Sequence, residues 1–338
     1  MVKYSLHIDN NSSEPKYRQI VNAVIRLVKE GKLKVGDQLL SLNDLSIQLE
    51  VAKDTVQRAY QNLREKGIVE AVPGKGFYIK ASYVDAPMRI LLIFNKMTAY
   101  KKTIFNAFAN AISTKAVVDL QVHYFDEMMF EKIIESSLGQ YSHYVVMPFF
   151  YQHTSKLKET FNRIPREKLL LLNKKPDFLQ DCRAVFEDFE NDIYNVLMEF
   201  SGQVAAYEGL ILVFPEDPMS NKEIQSGFIK YCEKTKSNWQ IVSGTNSLIL
   251  KDKMLYIVID DDDLAVLIKQ CQESGLKVGK DIGVISYNDT VLKEVLENGI
   301  SVISTDFEHM GEQAAEMILK NKYESIKNPF RMIRRRSF

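Results

Sequence analysis

Through the first 80 residues apolar side chains recur every three or four positions, and from residue 88 the pattern changes to short apolar runs alternating with amphipathic stretches. The first period belongs to helices, the second to buried strands joined by crossover helices. Helix one is expected to open at Pro15, a residue tolerated in a first turn, and to carry Tyr17, Ile20, Val21, Val24, Leu27 and Val28 on one face until Gly31 stops it. Ser41, with Asp44 three residues on, reads as the N-cap of a short second helix bearing Leu42, Leu45 and Leu49. The third helix, about Ala52 to Lys66, has Ala52, Val56, Ala59, Tyr60 and Leu63 on one arc and Lys53, Gln57, Gln61 and Arg64 on the adjacent polar arc. One arc can bury while the other reads DNA. Gly67 ends the helix, and IVEAV-PGKG-FYIK predicts two β runs around a narrow turn whose Lys75 supplies charge suited to a minor groove.

Residues 81–87 form a short polar linker ending in Pro87, and residues 88–338 follow a different plan. Strands are expected at Arg89–Phe94, Leu120–Phe125, Tyr144–Pro148, Leu169–Asn173, Gly209–Phe214, Gln240–Ser243, Leu255–Asp260, Ile282–Tyr287 and Ser301–Thr305. Helical stretches fall between them at Thr103–Ser113, Phe130–Leu138, Glu190–Phe200, Lys222–Thr235, Asp262–Ser274 and Gly311–Lys320. Buried strands with crossover helices imply parallel sheets, and nine strands are many for one sheet. The fold class is therefore α/β: a winged helix-turn-helix over residues 1–80, then two lobes with parallel sheets and a ligand cleft at the carboxyl ends of the strands.

The segments PKYRQI, GDQL, DTVQRAYQNL and GIVEAVPGKGF closely resemble the GntR regulators, a family of DNA-binding proteins. From that resemblance Lys53, Thr55, Gln57 and Arg58 are carried over as DNA contacts, with Gly74, Lys75 and Gly76 at the wing; Gln61 and Arg64 extend the polar arc. Where the family has a proline and an arginine before helix two, this chain has Leu40 and Asn43, so one phosphate contact is lost. Its recognition helix opens Ala52-Lys53 instead of Ser-Arg, which keeps a cation without the planar fork suited to guanine.

Further on, YIVIDDDDLA, SGLKVGKDIGVISYND and ISVISTDFEHMGEQAAEMIL resemble the effector domain of LacI/GalR-type repressors, which share the type I periplasmic-binding-protein fold. The pairing is similar to arabinose-responsive regulators that fuse a GntR module to a LacI-like one. This resemblance implies ligand contacts from Asp289, its neighbour Asn288, and Asp188. It also implies an arginine where this chain has Ile224, a contact that Lys222 or Gln225 would have to supply.

Charge supports the division. Residues 1–80 hold 13 Lys and Arg against 9 Asp and Glu, a net +4, and the rest of the chain cancels it to zero. So modest an excess implies weak binding by one copy, and a homodimer on paired half-sites of double-stranded operator DNA is expected. No apolar run approaches the ~20 residues a membrane span needs. Lys3, His7 and Asp9 interrupt any signal-like stretch, and the three scattered cysteines suit a reducing, cytoplasmic setting.

A neutral sugar needs side chains that both donate and accept, with an aromatic face for its C–H patch. Strand ends offer Asn95, Lys96 and Tyr100; Phe149, Phe150 and Tyr151; Asn173 and Lys174; and Asp260 and Asp261. Packing is the alternative reading for the aromatics. The run Asp260–Asp263 could suggest a metal, but a helix cap at Asp262 or Asp263 explains it better, and neither metal nor cofactor is expected. The expectation is a regulator, not an enzyme, whose DNA affinity is set by a small effector, a monosaccharide in the favoured reading. The alternatives are a non-sugar metabolite, or an enzyme-like half such as the pyridoxal-phosphate module of some GntR relatives. For that module the 251 residues from Met88 are too few. On this reading Asp289→Ala abolishes the ligand response.

Overall fold

The computed structural model describes residues 4–80, 88–217, 220–245 and 248–338; the expected linker, 81–87, lies outside them. Helix α1 (Lys16–Lys29) begins after Pro15 and buries Ile20, Val24 and Leu27. Ser41 caps α2 (Leu42–Leu49): its hydroxyl accepts from the Asp44 amide at 3.1 Å and donates to the Asp44 carboxylate at 2.7 Å. A turn with Glu50 at φ 51° leads into α3 (Lys53–Glu65), whose Val56, Ala59, Tyr60 and Leu63 are buried. Antiparallel β1 (Val69–Val72) and β2 (Gly76–Ile79) make the wing. Tyr60 fastens these parts together. Its ring meets Phe77 of the wing edge-on at 4.8 Å and its hydroxyl donates to the Leu40 carbonyl at 2.8 Å.

Lobe 1 is assembled from β3 (Met88–Phe94), α4 (Ala99–Ile112), β4 (Ala116–Val122), α5 (Glu127–Ser137), β5 (His143–Val146), α6 (Ser155–Asn162), β6 (Leu169–Asn173) and β7 (Arg183–Phe186). The chain then crosses to lobe 2, through α7 (Phe189–Glu199), α8 (Ser201–Val204), β8 (Gly209–Val213), α9 (Lys222–Thr235), β9 (Trp239–Val242) and β10 (Met254–Val258). Lobe 2 continues with α10 (Asp261–Ser274), β11 (Gly283–Tyr287), α11 (Val291–Val295) and β12 (Ser301–Thr305). Helix α12 (Phe307–Leu319) returns to lobe 1, where Phe307, Met310 and Ala314 pack with Ile90 and Phe108. Finally β13 (Ser325–Lys327) pairs with β7, and β14 (Phe330–Ile333) pairs antiparallel with β12. The two sheets run β13-β7-β6-β5-β3-β4 and β14-β12-β11-β10-β8-β9, parallel throughout except for β14. Three crossings join the lobes, so both sheets present their carboxyl ends to one cleft.

Several elements differ from expectation: α4, α5 and α12 begin three or four residues early, and α6, α8 and α11 have no counterpart among the expected helices. The strand expected over Leu120–Phe125 runs instead over Ala116–Val122, because Tyr124 and Phe125 adopt φ of 50° and 62° in a turn closed by the Asp126 amide on the His123 carbonyl. Strands β7 and β13 were not expected, and β14 agrees with a docked final strand, one of the readings open for the basic tail Arg331–Arg336. Strand β7 opens with a charged residue, β13 is a three-residue edge strand with one apolar position, and β14 is a four-residue edge strand interrupted by Arg331.

The winged helix also rests on lobe 1. The Arg18 guanidinium donates to the Ser136 and Leu138 carbonyls at the end of α5. Asn22 donates to the Gly139 carbonyl at 3.4 Å, and the Ser13 hydroxyl to that of Arg163 at 3.1 Å. These contacts lie at the amino ends of the lobe 1 strands, opposite the cleft.

Candidate functional site

On the winged helix, Lys53 and Gln57 stand exposed along α3 and Thr55 is half-buried. Arg58 is exposed, with its guanidinium 4.1 Å from the Tyr17 ring centre. Beyond them the arc is bonded to itself: Arg64 donates to the Gln61 amide oxygen at 3.4 Å, and Gln61 to the Glu65 carboxylate at 3.1 Å. At the wing tip, Gly74 (φ 72°) and Gly76 (φ 109°) take backbone angles that favour glycine and hold Lys75 outward. The Lys75 carbonyl accepts from the Gln38 amide at 2.6 Å, which fixes the tip against the body.

The cleft has a volume of about 310 Å³. Lobe 1 supplies Asn95, Lys96, Tyr100, Lys101, Phe125, Phe149, Asn173 and Glu187; lobe 2 supplies Asp217, Ser220, Asn221, Ile259, Asp260, Asp261, Tyr287, Asn288 and Thr290. Thr98, Ala99, Phe189, Pro215 and Phe307 complete the wall together with Ile224, the position where the resemblance implied an arginine. Of the residues expected from sequence, Asn95, Lys96, Tyr100, Phe149, Asn173, Asp260, Asp261 and Asn288 come together here.

Four do not. Phe150 is buried in lobe 1, stacked on His123 at 4.3 Å, and edges only a neighbouring recess. Asp188 precedes α7 and accepts from Asn191 at 2.9 Å, while its immediate neighbour Glu187 turns to the cleft. Lys222 is exposed on the first turn of α9 and outside the lining. Asp289, which the LacI resemblance placed on the ligand, is held instead by a two-pronged bond from Arg335, at 2.9 and 2.8 Å. Its neighbour Asn288 has φ 63°, and the turn sends the carboxylate away from the cleft. The acidic run is also accounted for differently: Asp260, not Asp262 or Asp263, caps α10, Asp261 pairs with buried Lys293 at 2.7 Å, and Asp263 accepts from Thr245 at 2.9 Å. Among the described residues no cluster of three His, Cys, Asp or Glu side chains could hold a metal.

Sequence reasoning missed Lys101, Glu187, Asn221 and Tyr287. Burial pushes the Glu187 carboxyl well above the ordinary range, Asp192 adds to the rise and Lys101 opposes it. Glu187 accepts from the Asn173 amide, and Lys101 donates to the Asn95 amide oxygen. Burial and the nearby Lys96 bring Lys101 down to about 7. Burial thus shifts both Glu187 and Lys101 toward their uncharged forms, and Glu187 when protonated can both donate and accept. Tyr287 Oη and Asn221 Nδ2 are buried in the lining without a hydrogen-bond partner. Tyr100 stacks on Phe307 at 4.7 Å and leaves an aromatic wall.

Comparison with known proteins gives this geometry its context. Residues 16–79 match the gntR family of bacterial regulatory proteins, and residues 230–337 match a periplasmic binding protein-like domain. The HTH-type transcriptional repressor YtrA of Bacillus subtilis (strain 168) is 34% identical over 97 residues, 29% of this chain and 71% of the relative. The mannosyl-D-glycerate transport/metabolism system repressor MngR of Escherichia coli (strain K12) is 32% identical over 83 residues, 25% of this chain but only 35% of the relative. Among solved structures, the trehalose repressor from Escherichia coli superposes with a TM-score of 0.62 at 13% identity, covering 73% of this chain and all of that one. A LacI family transcriptional regulator from Enterococcus faecium with bound ribose gives 0.61 at 14% identity, covering 74% of this chain and 98% of that one. Likeness at this level establishes the fold. No helix among the described residues is long and apolar enough to cross a membrane. The chain belongs to the GntR family of bacterial transcription regulators, with a DNA-binding winged helix followed by an effector domain of the periplasmic-binding-protein, LacI-like fold.

Proposed function

We propose that the protein is a repressor whose DNA affinity is controlled by a neutral sugar bound between the lobes, with a monosaccharide ring as the unit recognised. One observation carries this reading: Tyr287 Oη and Asn221 Nδ2 both lie buried and unpartnered in the cleft lining. Each such group costs roughly 1–3 kcal/mol unless something bonds to it, and a ligand rich in hydroxyls meets a donor-acceptor phenol and an amide donor at once. Glu187 and Asn173 add a donor-acceptor pair on the lobe 1 side. Among the described residues the cleft lining holds two lysines, Lys96 and Lys101, but no arginine, so the two-pronged bonding that suits phosphates and carboxylates is not offered. Repressor action is supported by the names of both relatives, and sugar binding by the ribose-bound and trehalose-repressor neighbours.

On this account the winged helix reads DNA through Lys53, Thr55, Gln57 and Arg58, with Lys75 at the wing, and two copies bind paired half-sites. Residues 1–80 act as the DNA-binding unit and 88–338 as the sensor. A thermal-shift panel of neutral monosaccharides and sugar phosphates tests the proposal. At 100 times Kd a bound sugar adds about 2.7 kcal/mol of stability. A rise in Tm with a neutral sugar is expected; no rise with any neutral sugar, or a rise with phosphates alone, contradicts it.

A further inference from the structure

A second recess, of about 350 Å³, opens beside the cleft and shares Phe149, Ser220 and Asn221 with it. The two adjoin at Asn221, which lines both. The Asn221 amide nitrogen is buried and unpartnered, and its oxygen lies 3.5 Å from the Lys174 ammonium of the outer recess. We infer that the ligand has two parts, a sugar ring in the inner cleft and a glycosidically linked second ring in the outer recess, so that the effector is of disaccharide size. This rests on the sugar-sensing reading above and deepens it.

The outer recess has the chemistry of a second sugar site. Tyr151 is 60% exposed, and its ring stands 5.5 Å from Phe125, which lines the inner cleft. It forms a platform for the C–H face of a ring leaving the cleft. Gln152 on the same loop offers both a donor and an acceptor. The cations there are already engaged or disfavoured. Lys174 lies 3.5 Å from the Glu223 carboxylate and 5.9 Å from the Phe149 ring centre, while burial and Lys174 both lower the pKa of His153. A neutral second ring fits this recess better than a phosphate.

Isothermal titration of the full chain decides the matter. The probes are glucose, galactose, mannose, arabinose and xylose, together with maltose, trehalose, lactose and xylobiose. We expect at least one disaccharide to bind at least tenfold more tightly than the monosaccharides that compose it. Tyr151→Ala removes that advantage while leaving monosaccharide affinity within twofold, and Tyr151→Phe, which keeps the platform, retains it. If monosaccharides bind and no disaccharide binds better, or if Tyr151→Ala weakens both alike, the two-part ligand is overturned and the sugar sensor stands. If no probe binds, the sugar sensor itself fails and this inference with it.

Discussion

Glu187 sits inside the protein near Asn173 and Lys101, and burial is the chief reason its carboxyl holds its proton to higher pH than an ordinary carboxylate. Its folded pKa lies above the ordinary carboxylate value, so between the two the folded protein binds more protons than the unfolded chain. The stability this group contributes is complete below the ordinary value of 4.5 and is lost as pH rises through the raised one. Glu187→Gln, which keeps the amide-like bonding without the proton, should gain stability relative to the natural chain as pH rises. Thermal denaturation of both from about pH 5 to about pH 8 checks this; parallel curves would mean that Glu187 titrates normally. The residue escaped the sequence reading because the LacI resemblance pointed to Asp188, one position on, and adjacent side chains leaving a strand face opposite ways. Tyr287 was hidden for a different reason, since an aromatic ending a buried strand gives no sign whether its hydroxyl is bonded.

Elements that bury both faces were plain in the sequence. Strands β6 and β12 have the expected bounds, and β3 and β8 differ by a residue at one end, because continuous apolar runs leave few alternatives. Strand β7 was obscured by Arg183, a cation buried at the edge of an apolar run. Its Nε and Nη2 donate to the Leu169 and Glu167 carbonyls beneath the Tyr323 ring, contacts that no local pattern encodes, while Nη1 is buried without a partner. The C-terminal segment shows the same limit. Arg335 reads as part of a basic tail, yet it crosses to clamp Asp289 and approaches Glu294 of α11 at 3.5 Å. Asp289→Asn should therefore lower unfolding stability by about 2 kcal/mol, through loss of a part-buried charged pair. It should leave sugar affinity within twofold, as read by denaturant unfolding alongside titration. Loss of sugar binding without loss of stability would restore Asp289 to the ligand.

Viewed as a whole, the molecule places its two sites at opposite ends of the same strands. Strand β5 leads from the Leu138–Gly139 contact with α1 to Phe149 in the cleft, a route by which the proposed ligand closure would carry movement of lobe 1 to the winged helix. The seat is narrow, made chiefly by Arg18, Asn22 and Ser13 on backbone carbonyls. The winged helix and the strand-end cleft could be foreseen from periodicity and motif; this seat could not, because it joins residues more than 100 positions apart through main-chain oxygens. The measurement that bears most directly on the account is fluorescence anisotropy of the full chain on DNA from upstream of its own gene, with and without the sugar that raises its Tm. The account predicts at least a tenfold weakening of DNA affinity at saturating sugar, a coupling of about 1.4 kcal/mol. Unchanged affinity, within twofold, while the sugar is demonstrably bound would contradict control of DNA binding through the cleft.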